Sequence, residues 1–140
     1  MTQPKRRNLK AILIVVGSVL AVCCVLGGLG IYFGVRAITA GPRDATDAFL
    51  RDLTAGNSTA VYDRLCESTR SRTTKDQLVE IMNGRRPTSY KITGVSMQSV
   101  NGDSGAAVRT ELSYPGGTSE PHTFRLRKEG GEWKVCGDPY

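Results

Sequence analysis

AAVRTELSY, residues 106–114, is the stretch that decides how this chain folds. Val108, Thr110, Leu112 and Tyr114 alternate with Arg109 and Glu111. A period of two puts one side of an extended strand in a core and the other in water. PGG turns the chain after it, and HTFRLRK at 122–128 repeats the pattern, Phe124 and Leu126 against Arg125 and Arg127. EGGE then leads into WKVC, which ends at Cys136. Upstream, SYKITGVSMQSV carries Tyr90 and Ile92 and changes phase at Gly94 to Val95 and Met97, the sign of a bulge, before NGDSG turns the chain. These runs predict four antiparallel strands joined by hairpins.

Before Pro87 the period is helical. Ala45, Ala48, Phe49 and Leu53 mark one face of a helix from about residue 43 to 55, stopped by Gly56 and Asn57. Ser58 is the expected N-cap of a second helix with Val61, Tyr62, Leu65 and Cys66 on one side, fading in ESTRSRT. Asn57-Ser58-Thr59 matches a glycosylation sequon, but capping is its better role. Thr74 and Gln77 fit a capping box ahead of Leu78, Ile81 and Met82, and Asn83-Gly84 closes that helix. Helices first and a meander after predict an α+β domain, its two or three helices packed on a curved four-stranded antiparallel sheet in a cone.

The 140 residues carry a net charge of +6, yet residues 37–140 hold 14 basic and 13 acidic side chains. The basic excess therefore sits at the amino terminus, in Lys5, Arg6, Arg7 and Lys10, and the folded part has no charge surplus of the kind that nucleic-acid binding requires. Residues 11–35 are uncharged and mostly Val, Leu, Ile, Ala and Gly. As a helix they measure about 37 Å, enough to cross roughly 30 Å of hydrocarbon. The four basic residues before that run predict a cytoplasmic amino terminus, and Tyr32 and Phe33 fall where an interfacial aromatic belt is expected. The run exceeds the apolar core of a cleavable signal peptide. Neither Cys23 nor Cys24 follows the small residue that a lipoprotein signal needs, and RRNLK lacks the rest of a twin-arginine address. The expected organisation is a basic tip at 1–10, a transmembrane helix at 11–35, a linker at 36–42 and an extracytoplasmic domain at 43–140. Gly17, Ala21, Cys24 and Gly28 recur at three- and four-residue steps, and Gly30 and Gly34 form a GxxxG. Small residues so placed let a second helix approach closely, which makes a weak homo-oligomer through this helix an expectation. Cys23 and Cys24 read as apolar filler, since adjacent helical residues diverge and no third ligand is near.

Outside a membrane the domain meets an oxidising space, and Cys66 and Cys136 are its only cysteines. Such a pair is most simply a disulfide. Strict alternation puts Cys136 on the face opposite Trp133 and Val135, so the last strand must twist or end there.

The order DAFLRDLTAGNSTAVYDRLCESTR, GDSGAAVRTEL, FRLRKEGGEWKVC after one membrane anchor resembles small actinobacterial membrane-anchored proteins with a nuclear-transport-factor-2-like domain. That cone-shaped fold is shared with ketosteroid isomerase and related to cystatin-like shapes. The likeness covers residues 43–137. It implies a helix-lined cone wrapped by a sheet, often with a pocket, and no particular reaction.

An isomerase-like site would need a carboxylate base and a hydroxyl or protonated acid for the enolate. Tyr62, Tyr90, Tyr114 and Asp63 qualify by type, but no spacing singles them out. His122, the one histidine, follows Pro121 at a strand start and reads as a surface or edge residue. No metal set or cofactor is expected. Arg64, Arg70, Arg72, Lys75, Arg85 and Arg86 cluster in sequence among Asp63, Glu67, Asp76 and Glu80. That cluster is either a face for anionic lipid or wall polymer or, as is commoner, a solvated helix surface. The expected function is a single-pass membrane-anchored extracytoplasmic binding or interaction domain without catalysis. Its expected partners are membrane lipid and an envelope protein or apolar ligand. The alternatives are an enzyme with a ketosteroid-isomerase-like pocket, or an envelope-assembly subunit acting through its membrane helix. Replacing Gly30 and Gly34 by Leu should abolish self-association in a membrane two-hybrid reporter; an unchanged signal removes the helix-pairing expectation.

Overall fold

A computed structural model describes the chain at residues 7–100 and 102–138. Before residue 40 the described side chains are those of 14, 16–18, 21–24, 27 and 28; after it, all but that of residue 100 within this range. Eight elements follow in order: α1 (Arg7–Ala55), α2 (Ser58–Asp63), α3 (Glu67–Arg70), α4 (Lys75–Gly84), β1 (Ser89–Val100), β2 (Asp103–Ser113), β3 (Ser119–Glu129) and β4 (Glu132–Cys136). The chain divides into two compact units, Met1–Ile38 and Thr39–Tyr140.

In the first unit Ile14, Val16 and Val22 are exposed, as are Cys23 and Cys24. Among the described residues nothing lies near Gly17 or Gly28 beyond their own helix, and Ala21 is exposed. Among the described residues no helix is long and apolar enough to cross a membrane. The expected span at 11–35 falls largely on side chains outside the described set, including Gly30, Tyr32, Phe33 and Gly34. Lys5 and Arg6 lie outside the described residues, as do the side chains of Arg7 and Lys10.

The expected linker at 36–42 is instead helical, and the division between the units falls inside it. Gly41 and Pro42 read as breakers, and Pro42 does lack the N–H that would bond the carbonyl four residues back. The following turns hold the helix. Pro42, Thr46, Phe49, Leu50 and Leu53 are buried at helical spacing, and the Thr46 hydroxyl donates back to the Pro42 carbonyl at 2.9 Å. Gly41 lets Trp133 close on the helix, because a Cβ there would lie 2.7 Å from the indole Nε1.

The N-cap of α2 is Asn57, one residue before the expected Ser58; its carboxamide oxygen accepts from the Ala60 N–H at 3.3 Å. The capping box on α4 is as expected: the Thr74 hydroxyl accepts from the Gln77 N–H at 3.3 Å, and the Gln77 side chain accepts from the Thr74 N–H at 2.9 Å. Leu78 and Met82 are buried, but Ile81 is 40% exposed, so the apolar face of α4 is narrower than its pattern suggests.

The sheet is a meander in the order β1-β2-β3-β4, every pair antiparallel. Its register shifts between Ile92 and Gly94, at the predicted bulge. Val108, Thr110, Leu112 and Tyr114 are buried with Phe124 and Leu126, while Arg109, Glu111, Arg125 and Arg127 are exposed. The hairpin between β2 and β3 closes with the Tyr114 N–H on the Thr118 carbonyl at 2.8 Å, and successive positive φ at Gly116 and Gly117 explain why PGG stands there. Phe49 meets Phe124 edge to face at 5.6 Å between centroids, where the first helix of the domain joins the sheet. Replacing Phe124 by Ala should cost about 3–5 kcal/mol of stability, and replacing Ile81 by Ala no more than about 0.5 kcal/mol. Denaturant unfolding of both variants checks the pair, and equal losses would contradict the placement of Ile81.

Candidate functional site

The second helix stops at Asp63 because the next residues belong to the sheet. The Val135 N–H donates to the Arg64 carbonyl at 2.9 Å, and the Cys66 N–H donates to the Val135 carbonyl at 2.8 Å. Residues 64–66 thus form one rung of parallel strand on the outer edge of β4. This sets Cys66 beside Cys136, Cα atoms 5.3 Å apart, and the two are joined as a disulfide. The face problem posed by strict alternation disappears, since the bridge runs sideways between edge neighbours. Thr69, fully buried on α3, locks the same corner: its hydroxyl accepts from the Gly137 N–H at 3.0 Å.

The isomerase-type candidates do not converge. The Tyr62 hydroxyl donates to the Arg70 carbonyl at 3.4 Å, and Asp63 is exposed, its carbonyl taking the Lys134 ammonium at 3.2 Å. Tyr90 instead finds Asp47, which the sequence reading did not single out. Its hydroxyl donates to the Asp47 carboxylate at 2.8 Å, and Arg51 pairs with the same carboxylate at 2.5 Å. Burial first, and the Asp47 bond and charge second, hold the Tyr90 hydroxyl above its ordinary pKa. A phenol and a carboxylate so paired are the one acid–hydroxyl couple among those candidates, and Arg51 already neutralises it.

The buried polar side chains among the described residues are three threonines, all engaged: Thr46 on Pro42, Thr69 on Gly137, and Thr110, whose hydroxyl donates to the His122 carbonyl at 3.1 Å. Phe49, Leu50, Leu53, Val61, Leu65, Val108, Phe124 and Val135 fill the rest of the interior.

Room exists at the rim. Where α4 ends and the β2–β3 hairpin closes, a groove of about 620 Å³ is lined by Met82, Arg85, Arg86, Tyr114, Pro115 and Glu120, with Thr88 and Thr118. Arg85, the C-cap of α4, stacks its guanidinium over the Tyr114 ring at 4.2 Å and pairs with Glu120 at 2.5 Å. Burial raises the Tyr114 pKa, partly offset by the Arg85 charge. Arg86 lies across Gly56, whose φ of 78° and lack of a side chain leave the guanidinium its place beyond the carboxyl end of α1, where the helix dipole favours a cation. The sequence cluster of basic residues is therefore not one face. Arg64 is tied to Asp52 at 2.7 Å, Arg85 and Arg86 belong to this groove, and Arg72 lies elsewhere. Nothing local in the sequence announces the groove, because Tyr114 and Glu120 reach Arg85 only through the sheet register.

No protein-family model matches the chain, and no curated protein matches it in sequence. Among solved structures it is similar to a Campylobacter jejuni protein provisionally named an NTF2-like transpeptidase, with 16% identity, a TM-score of 0.52, and coverage of 69% of this chain and 98% of that one. A ketosteroid isomerase-like protein from Erwinia carotovora atroseptica gives 20% identity and a TM-score of 0.42 over 70% of this chain and 92% of that one. The first of these likenesses shows a nuclear-transport-factor-2-like fold, as the resemblance in sequence implied.

His122, expected as a surface or edge residue, stands on the inner strand β3 and is only partly exposed. It is half-buried on the Phe124 side of β3, ring centroids 4.5 Å apart. Burial lowers its pKa below 6.5, and Asp138 partly restores it. A depressed imidazole pKa contributes stability above pH 6.5 that is lost as pH falls towards the folded value. Ring-proton NMR should show His122 titrating below 6.5, and lower still in Asp138→Asn; a value at or above 6.5 would contradict the burial.

Proposed function

We propose that this chain is a single-pass membrane protein with a cytoplasmic amino terminus, and that its nuclear-transport-factor-2-like domain serves outside the membrane as a non-catalytic binding module. The observation that carries the binding reading is the distribution of space. Among the described residues the interior is filled by apolar side chains, its three buried threonine hydroxyls are all engaged within the chain, and a groove of about 620 Å³ lies at the rim beside Arg85, Tyr114 and Glu120. A stacked Arg–Tyr pair flanked by a carboxylate offers an aromatic face and charges of both signs, the residue types enriched where proteins meet proteins. An envelope protein suits that lining better than a purely apolar ligand.

The membrane part rests on the uncharged run at 11–35, the basic residues before it, and the exposure of Ile14, Val16 and Val22. The oxidising side for the domain is supported by the Cys66–Cys136 bridge. The enzyme alternative would have to begin from Tyr90 and Asp47, with Arg51 first displaced from the carboxylate.

In intact cells a membrane-impermeant maleimide should leave Cys66 and Cys136 unlabelled until an external reductant is added, then label both after denaturation. Labelling without reductant argues against the bridge, and none after reduction argues against the topology. A photo-crosslinking residue at Thr118 should give a discrete adduct that Arg85→Ala diminishes several-fold. Adduct insensitive to Arg85→Ala would move the binding surface off this groove.

A further inference from the structure

The alternation that sends Phe124 and Leu126 into the core turns Arg125 and Arg127 to the opposite side of the sheet. Two residues apart on β3, they stand about 7 Å from one another. Arg127 lies opposite Gly105 on β2, and Arg125 opposite Cys136 on β4. Gly105 lies in turn opposite Gln98 on β1, so the row across the sheet has no side chain between Gln98 and Arg127 and forms a floor. The wall comes from α3 and the turn after it. Arg72 Nε donates to the Ser68 carbonyl at 3.0 Å, which fixes the arginine and leaves its terminal amino groups available. The result is a groove of about 440 Å³ lined by Ser68, Arg72, Gln98, Gly105, Arg125 and Arg127, with Asp103 its one acid. None of the three arginines is in an ion pair among the described residues.

We propose that this groove is a binding site for a phosphate-bearing ligand. Three guanidinium groups around one floor repel one another, and an anion between them removes that repulsion. Their planar forks present more N–H donors than the two oxygens of a carboxylate can accept, whereas a phosphate shares three or four oxygens among them and a chain of phosphates more. The site is distinct from the rim groove: eight residues of β2 separate Gly105 from Tyr114, and Arg127 stands seven residues along β3 from Glu120, roughly 23 Å. It therefore stands or falls apart from the proposed partner surface. The ligand's phosphate is either carried by a soluble or wall-bound molecule or displayed on a lipid headgroup.

The test uses the full-length chain in phosphatidylcholine nanodiscs titrated with inorganic pyrophosphate. Saturable one-to-one binding is expected, weakened about tenfold or more in Arg125→Gln/Arg127→Gln, since a hydrogen bond to a charged group is worth about that factor. Gly105→Val keeps every charge and fills the floor, and its Cβ meets only ordinary contacts, at 3.4 Å and 3.5 Å. It should weaken binding comparably, and Arg85→Gln in the rim groove should not weaken it. Should Gly105→Val fail to fold, the arginine variant, changed only at exposed positions, decides alone. No saturable binding, or binding unaffected by loss of the two arginines, overturns the proposal. Full affinity in a folded Gly105→Val, or equal weakening by Arg85→Gln, also overturns it, as the signature of diffuse charge. Repeating the titration in discs containing phosphatidylglycerol separates the sources. Weakened pyrophosphate binding means that headgroups occupy the groove, and unchanged binding means that the phosphate comes from elsewhere; either result upholds the site.

Discussion

Two backbone hydrogen bonds through one residue tie the helical part of this domain to the edge of its sheet. Val135 gives its N–H to Arg64 and accepts the N–H of Cys66, and through that single rung the helical part is stitched to the last strand of the sheet. The consequences are local and severe. The second helix must end at Asp63, the chain must start again as α3 only at Glu67, and Cys66 must lie alongside Cys136. The disulfide then closes a separation of 70 residues, which on the chain-entropy model is worth about 4 kcal/mol, an upper figure. For a domain near 100 residues that is a substantial part of the net stability. Thr69 adds a buried hydroxyl bond to Gly137 at the same corner, so the carboxyl end of the sheet is held by backbone, sulfur and side chain together.

Once that corner is tied, the inner face of the sheet packs against the helices, and the outer face carries exposed charged side chains, Arg109, Glu111, Arg125 and Arg127 among them. The inner face spends its residues on packing: the aromatic contact between Phe49 and Phe124, the aliphatic side chains around it, and hydroxyls that bond within the chain. The three threonines buried in the described interior all bond within the chain. Charge and room lie at the margins, in the two grooves.

Charge is distributed by the same geometry. The basic residues that crowd residues 64–86 in sequence part company in space. Arg64 neutralises Asp52, Arg85 stacks on Tyr114, Arg86 rests on Gly56, and Arg72 turns towards the outer face of the sheet. There it joins Arg125 and Arg127, which are more than fifty residues away along the chain. A mixed-charge stretch of sequence thus contributes to two different surfaces, Arg85 paired with Glu120 in one and Arg72 beside Arg125 and Arg127 in the other.

Much of this was legible in the sequence, for reasons that can be named. The period-two runs at 106–114 and 122–128 identified the strands and their buried faces, because neighbouring side chains on a strand have no choice but to oppose one another. Gly94 marked the bulge, Thr74 and Gln77 the capping box, and the lone pair of cysteines the bridge. Each is a short-range rule or a count. What the sequence could not supply was whatever depends on residues distant in the chain. Pro42 continues a helix because buried turns beyond it outweigh one lost hydrogen bond, and Ile81 is exposed because α4 meets its neighbours on a narrow stripe. Both grooves belong to this second kind. Local periodicity determines which way a side chain points from its own element, but only the packing of elements determines what it then meets.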